Sequence, residues 1–168
     1  MENIKIVPVN KPELIEKTAN LAKKIWFEHY ISIISEGQIE YMVNKFQSKK
    51  AIKNQIDNEN YQYFILEYDG ESAGYFAMCV KDKAIFLSKL YIDKAYRRKG
   101  LATAAISFMS RIAKRDSLDK IWLTVNKNNN GSIKAYEKLG FKTEKTQVAD
   151  IGEGYVMDDY IMEKIIEK

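Results

Sequence analysis

Hydrophobic and polar positions change period several times along this chain, and each change marks an element. Ile4 to Val9 (IKIVPV) alternates and predicts a short first strand, placed at a sheet edge because Pro8 has no amide to give a ladder. Pro12 then stands where a first helical turn tolerates it. Leu14, Ile15, Thr18, Leu21, Ala22, Ile25 and Trp26 carry a stripe of helical period to about His29. A polar break at Ser35-Glu36-Gly37 precedes a second stripe, Ile39, Met42, Val43 and Phe46, and a further short helix is expected from Lys49 to about Asp57. Tyr63 to Tyr68 (YFILEY) reads as a strand that turns at Asp69-Gly70, a strong hairpin signal, and returns as Ala73 to Val80. Lys81-Asp82-Lys83 turns the chain again into an apolar strand, Ile85 to Ile92.

Beyond that strand a basic turn, Arg97-Arg98-Lys99-Gly100, opens a helix whose apolar residues Leu101, Ala104, Ala105, Phe108, Met109 and Ile112 keep the i, i+3, i+4, i+7 rhythm. Ile121, Leu123 and Val125 line one face of the next strand (KIWLTVN). The polar run Asn126 to Gly131 leads into a helix from about Ser132 to Leu139, closed by Gly140. Phe141 to Val148 and Tyr155 to Lys164 read as two final strands. An antiparallel meander followed by a crossover helix between strands predicts an α/β (α+β mixed) fold, with a mixed, mostly antiparallel sheet of about seven strands flanked by helices.

Composition narrows the function classes. With 168 residues and no repeat, the chain is expected to form one domain, 1–168, with a sizeable core. Its net charge of +4 comes from 27 basic and 23 acidic residues spread along the chain, too mild to imply a nucleic-acid partner. The single Cys79 excludes an internal disulfide and a multi-cysteine metal site, fits a reducing compartment, and is expected to be buried mid-strand. No apolar window suits a signal peptide or a membrane span. A cytoplasmic protein with no metal, membrane or nucleic-acid partner is the expectation.

The chemistry concentrates in the basic turn. A strand feeding a glycine turn that opens a helix aims several unpaired amides at one spot, with the positive end of the helix dipole behind them. Such a terminus binds phosphate. Gly100 lets a ligand approach the backbone, and Arg97, Arg98 and Lys99 add attraction. The P-loop pattern fails because Gly100 has no partner glycine five residues upstream, and the dinucleotide pattern fails because positions 102 and 105 are alanine.

Arg97-x-x-Gly100-x-Ala102 resembles the [R/Q]-x-x-G-x-[G/A] pyrophosphate loop of the GNAT superfamily of acetyl-CoA-dependent N-acetyltransferases. Further on, NKNNNGSIKAYEKLGF is similar to that family's closing signature, N-x-x-[A/S]-I-x-x-Y-x-K-x-G-F, at Asn129, Ser132, Ile133, Tyr136, Lys138, Gly140 and Phe141. The resemblance covers residues 61 to 142 well. The ending DIGEGYVMDDYIMEK looks like that of bacterial polyamine (spermidine/spermine-type) acetyltransferases.

The resemblance implies a sheet splayed at its central strand and an acyltransferase that uses acetyl-CoA. The amides of Arg98, Lys99, Gly100, Leu101, Ala102 and Thr103, with Arg97, would hold the diphosphate. Backbone groups of Leu90, Tyr91 and Ile92 would hold the pantetheine, freed by a β-bulge at Ser88-Lys89, which otherwise reads as a surface-exposed pair. An amide near Leu90 would stabilise the oxyanion. Asn129, Ser132 and Lys138 would add cofactor contacts, and Asn129 also suits a helix cap. Tyr136 would be the general acid for the leaving thiolate; without the signature around it, it reads as a core tyrosine.

The acceptor would be a primary amine, attacking directly within a ternary complex. A lysine-like amine is neutral in only about one molecule in 2,500 at pH 7, a penalty of roughly 4.6 kcal/mol. Many relatives carry a glutamate two residues before the Leu90 position, whereas this chain has Ser88 there. Glu28, His29, Asp158 and Asp159 remain as acceptor-side candidates, and strand alternation lets at most one of the two aspartates face a site. A polyamine, an amine on a protein, peptide or antibiotic, and a homodimer through an open sheet edge stay in view. So does a different class, a sensor that binds acyl-CoA without turning it over.

Overall fold

The computed structural model describes residues 3–167. In chain order the elements are β1 (Ile4–Pro8), α1 (Pro12–Tyr30), α2 (Glu36–Phe46), α3 (Lys49–Asn58), β2 (Gln62–Tyr68), β3 (Glu71–Lys81), β4 (Ala84–Ile92), α4 (Leu101–Arg115), β5 (Lys120–Asn126), α5 (Asn130–Lys138), β6 (Lys142–Gly152) and β7 (Tyr155–Ile165). The expected elements are all present, with ends that move by a few residues. Local chemistry sets several boundaries. Pro12 opens α1, Ser35 caps α2 by accepting from the Gln38 amide at 3.1 Å, and Ser48 caps α3 by accepting from the Ala51 amide at 3.1 Å.

The strands hydrogen-bond in the order β1-β2-β3-β4-β5-β7-β6, with β1 at an edge as Pro8 suggested. This is the mixed, mostly antiparallel sheet expected: β1–β2, β2–β3, β5–β7 and β6–β7 are antiparallel and β4–β5 is parallel. The chain divides into two compact units, one holding the residues up to Cys79 with Lys89–Ala105, the other Val80–Ser88 with the residues from Ile106 onward.

In the first unit, Ile25, Ile39, Met42 and Ile52 from α1, α2 and α3 are buried, as are Phe64 of β2 and Phe76 of β3. Phe64 and Phe76 face each other in the ladder and stack at 4.9 Å. A buried polar chain runs through this core. Trp26 Nε1 donates to Tyr75 Oη (2.6 Å), and Tyr75 Oη to Gln47 Oε1 (2.6 Å). Gln47 Nε2 then donates to Tyr63 Oη (3.1 Å), and Tyr63 Oη to Gln55 Oε1 (2.5 Å). Burial pushes the Tyr63 and Tyr75 hydroxyl pKa values up, so both stay neutral and keep donating.

In the second unit, Ala84–Leu87 pair with Lys120–Leu123, and Phe86 stacks on its ladder partner Trp122 at 4.2 Å. Ile106, Met109 and Ala113 of α4 are buried, as are Ile121, Leu123 and Val125 of β5, with Phe141 and Met162. This core is apolar except near the last pair of the β5–β7 ladder, Asn126↔Asp159. Cys79, expected to be buried, is only half-buried: it stands near the end of β3, where Val80 and Lys81 are already exposed.

Candidate active site

The loop before α4 is built from a buried carboxylate. Asp93, 4% exposed at the end of β4, accepts from Lys24 Nζ at 2.7 Å and from the Ala95 amide at 3.0 Å, while its own amide donates to the Ala73 carbonyl at 2.8 Å. Burial pushes this carboxyl up, but the Lys24 ammonium and the Ala95 amide outweigh it and hold the group below its usual range. Anchored in this way, the chain makes one 3₁₀ turn at Lys94–Tyr96, which the periodicity did not announce. Asp93 was not among the candidates either; an Asp directly after an apolar strand is the capping signal that points to it.

Arg97 is then extended, and Arg98 (φ 63°) and Gly100 (φ 83°) are left-handed. Left-handed backbone in a non-glycine residue is uncommon, and it turns Arg98 within the loop. The first helical hydrogen bond of α4 runs from the Ala104 amide to the Gly100 carbonyl at 3.0 Å. The amides of Leu101, Ala102 and Thr103 therefore have no partner inside the helix. Leu101 is buried and fixes the helix start, while Thr103, Arg97, Arg98 and Lys99 are exposed. Lys99 Nζ lies 5.3 Å from the centre of the Tyr68 ring. Unpaired amides, a helix dipole and three cations at one loop fit a diphosphate.

Leu90, Tyr91 and Ile92 are half-buried on β4. The parallel ladder to β5 runs only from Ala84↔Lys120 to Leu87↔Leu123, whereas β4 continues to Ile92. A Cβ on Gly74 would stand 2.5 Å from the Tyr91 carbonyl, so glycine is what lets that backbone approach β3. Tyr91 Oη is 2.6 Å from Tyr30 Oη, and the His29 ring meets the Tyr91 ring edge-on at 5.5 Å.

Ser88 and Lys89 are not the exposed pair of the plainer sequence reading. Both are half-buried, and Lys89 Nζ donates to Gln55 Oε1 and to Tyr63 Oη, each at 3.1 Å, and so joins the polar chain of the first unit. Desolvation lowers its pKa to about 7, and the Glu59 charge offsets only part of that. A lysine in an apolar strand was the available signal.

In the second unit, Asn129 caps α5, its Oδ1 accepting from the Ser132 amide at 3.2 Å. Tyr136 is half-buried, with its ring edge-on to Phe141 at 5.6 Å; Ser132 is half-buried and Lys138 exposed in the last turn. Lys164 Nζ donates to the Leu139 carbonyl at 2.6 Å and closes that helix end.

The four acceptor-side candidates have different surroundings. Glu28 is exposed, 4.0 Å from Lys24. His29 is half-buried, and burial, with Arg97 nearby, lowers its pKa to about 4. Asp158 is exposed and paired to Lys127 at 2.8 Å. Asp159 is 5% exposed, and its Oδ1 has no hydrogen-bond partner.

Residues 23–141 match the acetyltransferase (GNAT) family. The chain belongs to this family. Its members are acyltransferases that use acetyl-CoA, and the resemblance carried by Arg97–Ala102 and Asn129–Phe141 placed it there. An uncharacterized N-acetyltransferase of Mycobacterium tuberculosis is 33% identical over 97 residues, covering 56% of this chain and 61% of that protein. The chain thus spans less than two thirds of the length of this relative. The spermidine N(1)-acetyltransferase of Thermoplasma acidophilum is 26% identical over 159 residues, 92% of this GNAT chain and 93% of that protein. The crystal structure of the PaiA N-acetyltransferase from T. acidophilum in complex with coenzyme A superposes with a TM-score of 0.81 at 24% identity, over 96% of this chain and 98% of that one, and has the same fold. Among the described residues no helix is long and apolar enough to cross a membrane.

Proposed function

We propose that this chain acts as one N-acetyltransferase domain that moves an acetyl group from acetyl-CoA to a primary amine, with a polyamine as the first acceptor to test. The observation that carries this is the start of α4. There the amides of Leu101, Ala102 and Thr103 lack helical partners behind two left-handed residues and three cations, inside the stretch matched to the family. Acetyl-CoA supplies the acetyl group on a thioester. Arg97 to Thr103 bind its diphosphate, the backbone of Leu90 to Ile92 aligns the pantetheine, and Asn129, Ser132 and Lys138 add contacts. Tyr136 holds a proton for the leaving sulfur; its reference pKa of about 10 sits above the roughly 8.5 of a thiol, so the proton is shared as the bond breaks rather than given up beforehand.

The acceptor end is supplied from Glu28, His29, Asp158 and Asp159. The likeness to a spermidine N(1)-acetyltransferase over most of both chains supports a polyamine. A reducing, cytoplasmic setting, with neither membrane nor nucleic acid as partner, accompanies the lone thiol, and the open edge of β6 offers a surface for a homodimer.

Free-thiol release from acetyl-CoA, followed with polyamines, amino acids and peptides, tests the proposal. Turnover with at least one primary amine is expected, and CoA should bind more tightly than ATP. Clear CoA binding with no turnover on any amine would replace the enzyme with an acyl-CoA sensor.

A further inference from the structure

Two aspartates stand side by side on β7, and the sheet gives them opposite fates. Asp158 lies with Tyr160 on one face, where Lys127 pairs with its carboxylate at 2.8 Å and lies 5.7 Å from the centre of the Tyr160 ring. Asp159 points the other way. It forms the last pair of the β5–β7 ladder with Asn126 and stands opposite Gln147 on β6. Asn126 Oδ1 accepts from the Asn128 amide at 2.9 Å, so that oxygen is already engaged in the loop leading to α5. Asp159 is left 5% exposed with a buried oxygen that has no partner.

A buried carboxylate oxygen without a partner is costly, and in a native fold such an oxygen calls for an explanation, a catalytic role among them. An acceptor amine is a cation at neutral pH and supplies that partner. We propose that the Asp159 carboxylate receives the acceptor's ammonium group and removes its proton before acyl transfer, a role that rests on the acyl-transfer function above. One N–H proton of the ammonium passes to Asp159 and later to solvent. The freed nitrogen lone pair forms the N–C bond to the acetyl carbonyl carbon. As the C–S bond breaks, sulfur keeps its electron pair and takes a proton from Tyr136, which recovers one from the new amide nitrogen. Amine cation and thioester thus give amide, thiol and one proton.

The surroundings suit a base. Burial, then the Asp158 charge, raise the Asp159 carboxyl to about 6, and Lys127 offsets part of this. These are the charged groups that bear on it, since Asn126 and Gln147 opposite it carry none. At pH 7 roughly nine in ten such groups are charged and ready to accept a proton, and each is a stronger base than an ordinary aspartate. His29 holds a proton far more weakly, because burial lowers its pKa to about 4, and the Asp158 carboxylate is already paired with Lys127.

The pH dependence of kcat/KM for the full-length protein, with acetyl-CoA and whichever amine of the panel is turned over, tests this. Wild type should lose activity below an acid limb near pH 6, with the small heat of ionisation typical of a carboxyl group. Asp159→Asn should abolish the limb and lower kcat/KM about 100- to 1,000-fold with CoA affinity unchanged. Asp158→Asn should keep the limb and move it to lower pH, because a neighbouring negative charge is gone. Should Asp159→Asn fail to fold, Asp159→Glu and the heat of ionisation of the wild-type limb decide the matter. An Asp159→Asn enzyme within threefold of wild type, a limb that survives that substitution, or a limb with the large heat of an imidazole would overturn the assignment while acyl transfer stands. Absence of turnover by wild type on every amine removes the acyl-transfer function and this role together.

Discussion

Two buried polar features, one in each unit, are treated in opposite ways. In the first, Trp26, Tyr75, Gln47, Tyr63, Gln55 and Lys89 are joined one to the next by hydrogen bonds of 2.5 to 3.1 Å. In the second, Asp159 is just as deeply placed, and one of its oxygens has no partner. Among the described residues the other such atom is Ser72 Oγ, in the first unit but outside its polar chain, a neutral hydroxyl whose burial costs much less than that of a carboxylate. A polar chain that satisfies itself is architecture, since each member is occupied by its neighbours. A buried carboxylate oxygen without a hydrogen-bond partner leaves a place that an arriving donor can fill. The difference predicts that variants of the first set act on stability and variants around the second act on turnover.

The largest separation should come from Tyr136→Phe. Phenylalanine keeps the edge-on ring contact to Phe141. Removal of the phenolic proton should lower kcat about 100- to 1,000-fold, the usual range for a lost general acid, with the CoA dissociation constant within twofold and Tm unchanged. A kcat within threefold of wild type would remove Tyr136 from the chemistry. The mirror experiment is Tyr75→Phe. It leaves the Trp26 indole N–H without an acceptor and Gln47 Oε1 without that donor, both buried, and should cost about 2–4 kcal/mol in urea unfolding while the kcat of the folded enzyme changes less than threefold. A large loss of kcat at unchanged stability would tie the polar chain to catalysis and erase the contrast.

The contrast also separates what the sequence discloses from what it withholds. Strands, helices and the loop before α4 are legible because their signals are local: alternation in Tyr63 to Tyr68, a helical stripe from Leu101 to Ile112, Gly100 at a left-handed position. Alternation also says that Asp158 and Asp159 face apart. It cannot say which one is buried, because that depends on β7 lying between β5 and β6 rather than after β6. Asn129 was legible as a cap because the residue it bonds is three positions away. Lys89 was not, because its partners come from residues 55 and 63, more than 25 positions back on another helix and another strand. A lysine between Ser88 and Leu90 looks like a solvated side chain until those partners are known. The position of Cys79 was misjudged for a related reason: an apolar run does not show where its strand leaves the core.

Lys89 offers the finest test, because it is the one member of the satisfied chain whose charge changes near neutral pH. Its amine faces the Tyr61 and Tyr63 rings and Gln55, with Glu59 the charge that bears on it. Its folded pKa, near 7, lies below the value of about 10.4 expected in the unfolded chain, so the cost of burying the ammonium is fully present below pH 7. Between pH 7 and about 10.4 the unfolded chain binds more protons than the folded one, and stability rises with pH across that window. Lys89→Met removes the ionisation while it keeps an unbranched stem in the same space. Urea unfolding of both proteins at pH 7 and pH 9 cancels every group they share. Wild type should gain about 1–2 kcal/mol relative to the variant over that interval, less than the full linkage allows because the side chain is only half-buried. Parallel pH profiles for the two proteins would mean that Lys89 stays charged in the folded state. The polar chain would then end in a cation rather than in a neutral amine whose two N–H bonds are matched by Gln55 and Tyr63.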